Sequence, residues 1–164
     1  MENPKFTNKD EIEPKSEILN FQNLLDEIYK GQNLPQDGRF LSVEQGGVFK
    51  YFEPRNLTEG DFRKREDRIF PVVRIDKEIV ALSELEKDPI KENNFWIKFI
   101  CVDPKYQNQG YAKKLIGDIF KFAKDNNFTL ETSIYSDEGL EKIKKIIEKY
   151  EEETGVKVHS RNNF

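Results

Sequence analysis

The stretch from Phe95 to Ala123 constrains the fold of this chain more than any other. "FWIKFICV" is an aromatic and aliphatic run of strand length, and "DPKYQNQG" is polar. Ala112, Leu115, Ile116, Ile119 and Ala123 then recur at the spacing of one helical face. A strand that enters a helix through so short a turn is followed by a strand lying parallel to it, because a helical crossover brings the chain back in the same direction. "FTLETSIYS" supplies that strand.

The rest of the chain fills in around this unit. "IFPVVRIDKEIVALSEL" predicts two strands about a turn at Asp76-Lys77, the second running from Glu78 to Leu85. Asp88-Pro89 and "KENN" break the pattern before Phe95. A long helix is expected from Ser136, with Leu140, Ile143, Ile146, Ile147 and Tyr150 on one stripe and its end before Gly155. A last strand is expected near "VKVHS". Upstream, Ser16 reads as the N-cap of a helix carrying Ile18, Phe21, Leu24, Leu25 and Ile28 up to Gly31. Gly46-Gly47 within "RFLSVEQGGVFKYFE" indicates a hairpin of open register, and "NLTEGDFRKREDR" reads equally as a short helix or a loop. Consecutive strands pair antiparallel, so the expected architecture is a mixed sheet with helices on its faces. Residues 1–15, polar and carrying Pro4 and Pro14, are expected to form a flexible arm ahead of a single domain over residues 16–164.

Composition narrows the function classes. Acidic residues number 31 against 27 basic ones, a net −4, and both signs are mixed along the chain. A nucleic-acid binder working through bulk charge needs a basic stripe, which is missing here. A mildly acidic protein suits a cationic partner better than an anionic one. One cysteine excludes an internal disulfide and, with one histidine, is too few for a zinc site of those ligands. "MENPKFTNKDEIEPK" lacks the apolar run of a secretion signal, and no stretch approaches the roughly 18 apolar residues of a membrane span. The expectation is a cytoplasmic protein with no metal, no nucleic acid and no membrane partner.

The turn itself carries chemistry. The first amides of the following helix, near Gly110 to Lys113, have no intrahelical acceptor and stand at the positive end of the helix dipole. Gly110 has no Cβ to hold a ligand away from the backbone, and Ala112 is nearly as small. Such a set of N–H donors, with Lys113 and Lys114 beside it, is an anion site.

Gln107, Gly110 and Ala112 also stand at the three fixed positions of [RQ]-x-x-G-x-[GA]. With the preceding V-D-P and the apolar helix face behind it, "VDPKYQNQGYAKKLI" resembles the acyl-CoA-binding signature of the GNAT N-acetyltransferase superfamily. The resemblance runs from about Phe95 to the C-terminus, while residues 1–60 match no such pattern. It implies a GNAT-like α/β (α+β) fold: a mixed, mostly antiparallel central sheet, a splayed parallel strand pair and flanking helices. It further implies acetyl-CoA as donor, its pyrophosphate on the amides of Gln107, Asn108, Gln109, Gly110, Tyr111, Ala112 and Lys113. The pantetheine arm would pair with the backbones of Ile100 and Val102. The acceptor amine, of a small molecule or a protein, would arrive from the opposite side of the splayed strands. A homodimer is left open.

Catalytic residues are less legible. Many members place a glutamate base four residues before the V-D-P valine, where this chain has Lys98. A tyrosine acid usual about one turn into the next helix is replaced by Leu140 and Ile143. Glu84 and Glu131, on strands toward the acceptor side, can take a proton through water. Tyr135 and Ser136 end the strand flanking the splay; Ser136 reads as an N-cap or as a proton donor to the CoA sulfur. Cys101 and Tyr150 read as packing residues, and His159 as surface or structural. The missing groups leave a second reading, an acyl-CoA-binding regulatory module without catalysis. A nucleotide-phosphate binder is disfavoured because G-x-G-x-x-G and G-K-[ST] are absent.

Overall fold

The computed structural model describes residues 13–29, 67–133 and 137–161. Among these residues, six strands form one sheet in chain order: β1 (Lys15–Asn20), β2 (Arg68–Ile75), β3 (Glu78–Lys87), β4 (Asn94–Val102), β5 (Thr129–Ser133) and β6 (Val158–Arg161). The first three pairings are antiparallel, and β4–β5 and β5–β6 are parallel. The helices are α1 (Phe21–Tyr29), α2 (Tyr111–Asp125) and α3 (Asp137–Thr154). The mixed sheet, its parallel pair and the turn at Asp76-Lys77 are as the sequence predicts.

Two apolar layers sandwich the sheet. On one face, Phe21, Leu24 and Leu25 of α1 pack with Leu19, Phe70, Val72, Ile79, Leu82 and Cys101. On the other, Leu115, Ile116, Ile119, Phe120 and Ala123 of α2 and Ile147 of α3 cover Val73, Ala81, Leu85, Phe95, Ile97 and Leu130. The α2 stripe is the one visible as helical spacing in the sequence. Gly155, at φ 74°, ends α3 where expected.

The first helix begins later than its apolar spacing predicts. Residues Lys15–Asn20 are a strand paired with β2, and the helix starts at Phe21 with Asn20, not Ser16, as its cap: Asn20 Oδ1 accepts the Asn23 N–H at 2.8 Å. Ser16 instead donates a hydrogen bond to Asp118 of α2. Arg74 ties this unit to the sheet through Glu17 of β1 (2.8 Å) and Glu27 of α1 (2.6 Å). The Glu27 hydrogen bond, outweighing the cost of burial, raises the Arg74 pKa. The hairpin about Gly46-Gly47, most of the N-terminal arm and most of "NLTEGDFRKREDR" lie outside the described residues.

Register shifts mark two places. On β3, Val73 faces Ala81 and Arg74 faces Ile79, so Val80 is an extra residue. On β4, Glu84 faces Phe99 and Leu85 faces Ile97, so Lys98 is the extra one. Bulges of this kind bend a strand locally and increase its twist.

Candidate functional site

Among the described residues, the bend at Lys98 coincides with the end of β4–β5 pairing. The last partners across the two strands are Ile97 and Thr132, yet β4 continues to Val102. Asp103 donates its N–H to Val80 O at 2.8 Å, and Phe99 O accepts from Ser83 Oγ at 2.7 Å. Odd-numbered residues here therefore turn their backbone groups toward β3. By strand alternation the N–H and C=O of Ile100 and Val102 face the other way, into the fork. Gln107 Nε2 lies 3.4 Å from Val102 O on that side.

The turn after β4 is built from Asp103, which is buried and caps a single 3-10 turn at Pro104–Tyr106 by accepting the Lys105 N–H at 3.0 Å. Asn108 (φ 62°) and Gly110 (φ 87°) then take left-handed conformations that swing the chain into α2. Gly110 is the N-cap, and among the described residues no side chain caps the amides behind it. A Cβ on Gly110 would meet nothing within 4 Å, so the space over the helix start is open.

That space is a cavity of about 700 Å³. Ile100 and Val102 form its floor, Tyr106, Gln107 and Asn108 one rim, and Gly110 through Lys113 the helix-start wall. A smaller cavity, about 270 Å³, is lined by Phe99, Ile100, Cys101, Val102 and Gln107. The two share Ile100, Val102 and Gln107, and Phe99 and Cys101 pack on the α1 side of the sheet. The fork thus joins an opening on each face.

The cofactor-binding residues expected from the sequence come together here, save one. Gln109 does not line the cavity; its side chain reaches back to Lys105 O at 3.4 Å. Residues the sequence reading missed complete the lining: Tyr106, and Lys142, Ile143, Lys145 and Ile146 of α3. The α3 wall was in part legible, since two lysines at i, i+3 flank two isoleucines of the apolar stripe. Tyr106 meets the Tyr111 ring edge-on at 6.1 Å and hydrogen-bonds Glu78 at 3.4 Å, whose charge raises its pKa.

The charged candidates sit on the opposite face. Arg68, Glu86, Trp96, Glu131 and His159 occupy one row across the strands. Glu131 is buried, one residue before the last β4–β5 pair, and pairs with Lys91 at 3.2 Å. Glu84 is buried against Arg68 at 2.9 Å. Lys98 is held by Glu86 at 3.2 Å and lies 5.0 Å above the Trp96 ring. Cys101 is buried, and burial, then the Asp103 charge, raises its thiol pKa. Tyr150 packs on Phe120 at 5.7 Å between ring centres, and His159 is exposed. Tyr135 and Ser136 lie outside the described residues. Among the described residues, no cluster of three His, Cys, Asp or Glu side chains forms a metal site, and no helix is long and apolar enough to cross a membrane.

Comparison with known proteins bears on this geometry. The model of the acetyltransferase (GNAT) family matches residues 25–139. No curated protein matches the chain. An acetyltransferase from Bacillus subtilis solved with CoA is 16% identical, covers 84% of this chain and 75% of its own, and superposes with a TM-score of 0.53. The aminoglycoside N-acetyltransferase AAC(6')-Iy, in complex with CoA, is 13% identical over 93% of each chain, with a TM-score of 0.52. The aminoglycoside acetyltransferase meta-AAC0020, from an uncultured soil metagenomic sample and solved with trehalose, is 16% identical over 87% of this chain and 89% of its own, with a TM-score of 0.52. At these identities the likeness is one of fold.

Proposed function

This chain belongs to the acetyltransferase (GNAT) family and transfers an acetyl group from acetyl-CoA to an amine, and from that premise we propose how its residues divide the work. The larger cavity takes the donor. Its extended pantetheine arm adds to the free edge of β4, pairing with the backbones of Ile100 and Val102 as a further strand would. The open amides at the start of α2 receive the pyrophosphate, close to the backbone because Gly110 presents no Cβ. The thioester then lies at the fork.

The acceptor amine enters from the α1 face, through the smaller cavity. Its nitrogen attacks the thioester carbonyl carbon, the carbon–sulfur bond breaks, and one proton leaves the nitrogen while one returns to the thiolate. Glu131, buried one residue from the fork, takes the amine proton through water. Glu84 is the poorer base, because the mostly buried Arg68 holds its carboxylate at 2.9 Å, whereas Lys91, the partner of Glu131, is exposed. Ser136, which with Tyr135 follows β5 in sequence, returns one proton to the leaving thiolate.

The observation that carries this reading is that, among the described residues, β4 runs on past its last β5 partner and opens onto a cavity whose wall is a helix start with no side-chain cap. Thermal melting with a ligand panel tests it. Acetyl-CoA and CoA should raise the midpoint comparably, and ATP and NAD, which lack the pantetheine arm, much less. An equal response to ATP would reduce the site to a general anion hole. Release of free thiol with a panel of amines then identifies the acceptor class.

A further inference from the structure

The α3 wall of the large cavity carries a charge pattern that the backbone amides of α2 do not account for. Lys142 and Lys145 lie one turn apart and both line the cavity, as do Ile143 and Ile146. Other lysines of the helix are neutralised: Lys144 by Glu148 at 4.0 Å and Lys149 by Glu153 at 3.8 Å. At the mouth of α2, Lys114 is paired with Asp118 at 3.9 Å, while its neighbour Lys113 lines the cavity. Among the described residues, Lys113, Lys142 and Lys145 have no carboxylate partner. Glu141, four residues before Lys145, is exposed and does not pair with it. In a chain of net charge −4, these cations, which have no carboxylate partner among the described residues, line one cavity from two helices.

We propose that Lys142 and Lys145 bind the donor's phosphate groups from the wall opposite the α2 N-terminus, making donor recognition a two-helix clamp. The clamp selects phosphorylated acyl carriers over bare pantetheine thioesters, and Ile143 and Ile146 pack against the uncharged part of the same ligand. Lys113 contributes from the α2 side. This inference rests on the donor occupying the cavity as proposed above.

The test compares two charge reversals of equal size on one helix. K142E/K145E alters the cavity wall, and K144E/K149E alters lysines already paired on the helix. All four positions are exposed, so both variants should fold, which circular dichroism and melting verify. Calorimetry at low salt with CoA, dephospho-CoA and pantetheine is the readout. K142E/K145E should weaken CoA about tenfold or more, and K144E/K149E less than about twofold. Added salt should shrink the difference, and pantetheine binding should be alike in all three proteins. A loss confined to CoA assigns the contact to the 3'-phosphate; an equal loss for dephospho-CoA assigns it to the diphosphate. Equal weakening in both variants, or a matching loss for pantetheine, overturns the clamp while leaving the cavity as the donor site. A wild-type protein that binds none of the three overturns the donor site itself.

Discussion

Gly117 of α2 lies under the hydroxyl end of Tyr150 of α3: a Cβ built at Gly117 would stand 2.8 Å from Tyr150 Oη and 2.9 Å from its ring carbon Cζ. This close approach sets the spacing of the helices that wall the large cavity. Gly117→Ala gains up to about 1 kcal/mol in helix propensity but forces the tyrosine aside at a cost of roughly 1–3 kcal/mol. A net loss is expected, lowering the melting midpoint by a few degrees. In a Tyr150→Leu background the same alanine should be neutral or stabilising. Urea denaturation of the four proteins in this cycle checks it, and additive effects would mean the two residues are uncoupled.

Gly110 separates stability from binding. Its left-handed φ makes any side chain cost about 1 kcal/mol, so Gly110→Ala and Gly110→Glu should melt alike, given the open space around the Cβ. Binding should differ. A ligand at a hundredfold excess over Kd stabilises by about 2.7 kcal/mol, or roughly 5–10 °C for a domain of this size. Wild type should show that shift with acetyl-CoA, and the glutamate variant should lose it. A full shift in Gly110→Glu would remove the pyrophosphate from the helix start.

The buried glutamates Glu84 and Glu131 are predicted to fail in different ways. Glu131→Gln should lower kcat by about a hundredfold and leave KM for acetyl-CoA unchanged. Among the described residues, Glu84→Gln leaves Arg68 with Glu86 alone, at 3.4 Å, and should cost about 3 kcal/mol of stability with kcat nearly intact. Stopped kinetics and melting on both variants decide; an inactive but stable Glu84→Gln protein would exchange their roles.

Cys101 is expected to be chemically quiet. Burial raises its pKa, so the folded state favours the thiol. Any stability gained this way is present below the unfolded-state pKa and lost as pH rises through the folded one. As the chain's single cysteine, it reports alone on alkylation. Iodoacetamide should label the native protein far more slowly at pH 8 than the urea-unfolded one, and Cys101→Ala should keep full kcat. Rapid native labelling with loss of activity would contradict this.

What could be read from the sequence was local. The strand, turn and helix from Phe95 to Ala123 announce themselves through period and composition, as does the turn at Asp76-Lys77. The β1–α1 boundary was hidden because Ile18, Phe21, Leu24, Leu25 and Ile28 fit one helical stripe. Edge pairing of Lys15–Asn20 with β2 overrides that spacing, and Ile18 is left 42% exposed. The fork depends on an extra residue at Lys98 and on Ile97–Thr132 being the last β4–β5 pair among the described residues, both properties of pairing between distant segments. Which lysines of α3 line the cavity, Lys142 and Lys145, depends on how that helix packs beside α2.

The open edge of β4 also bears on timing. A carrier bound as an added strand is gripped through its arm and its phosphates, and neither changes when the acyl group departs. The spent carrier is therefore held about as firmly as the loaded one. Rapid-quench detection of acetylated amine should show a burst of product before a slower steady rate, whereas a linear onset would mean that bond-making is the slower event. With a burst, the pace of the enzyme is the rate at which the sheet sheds its borrowed strand.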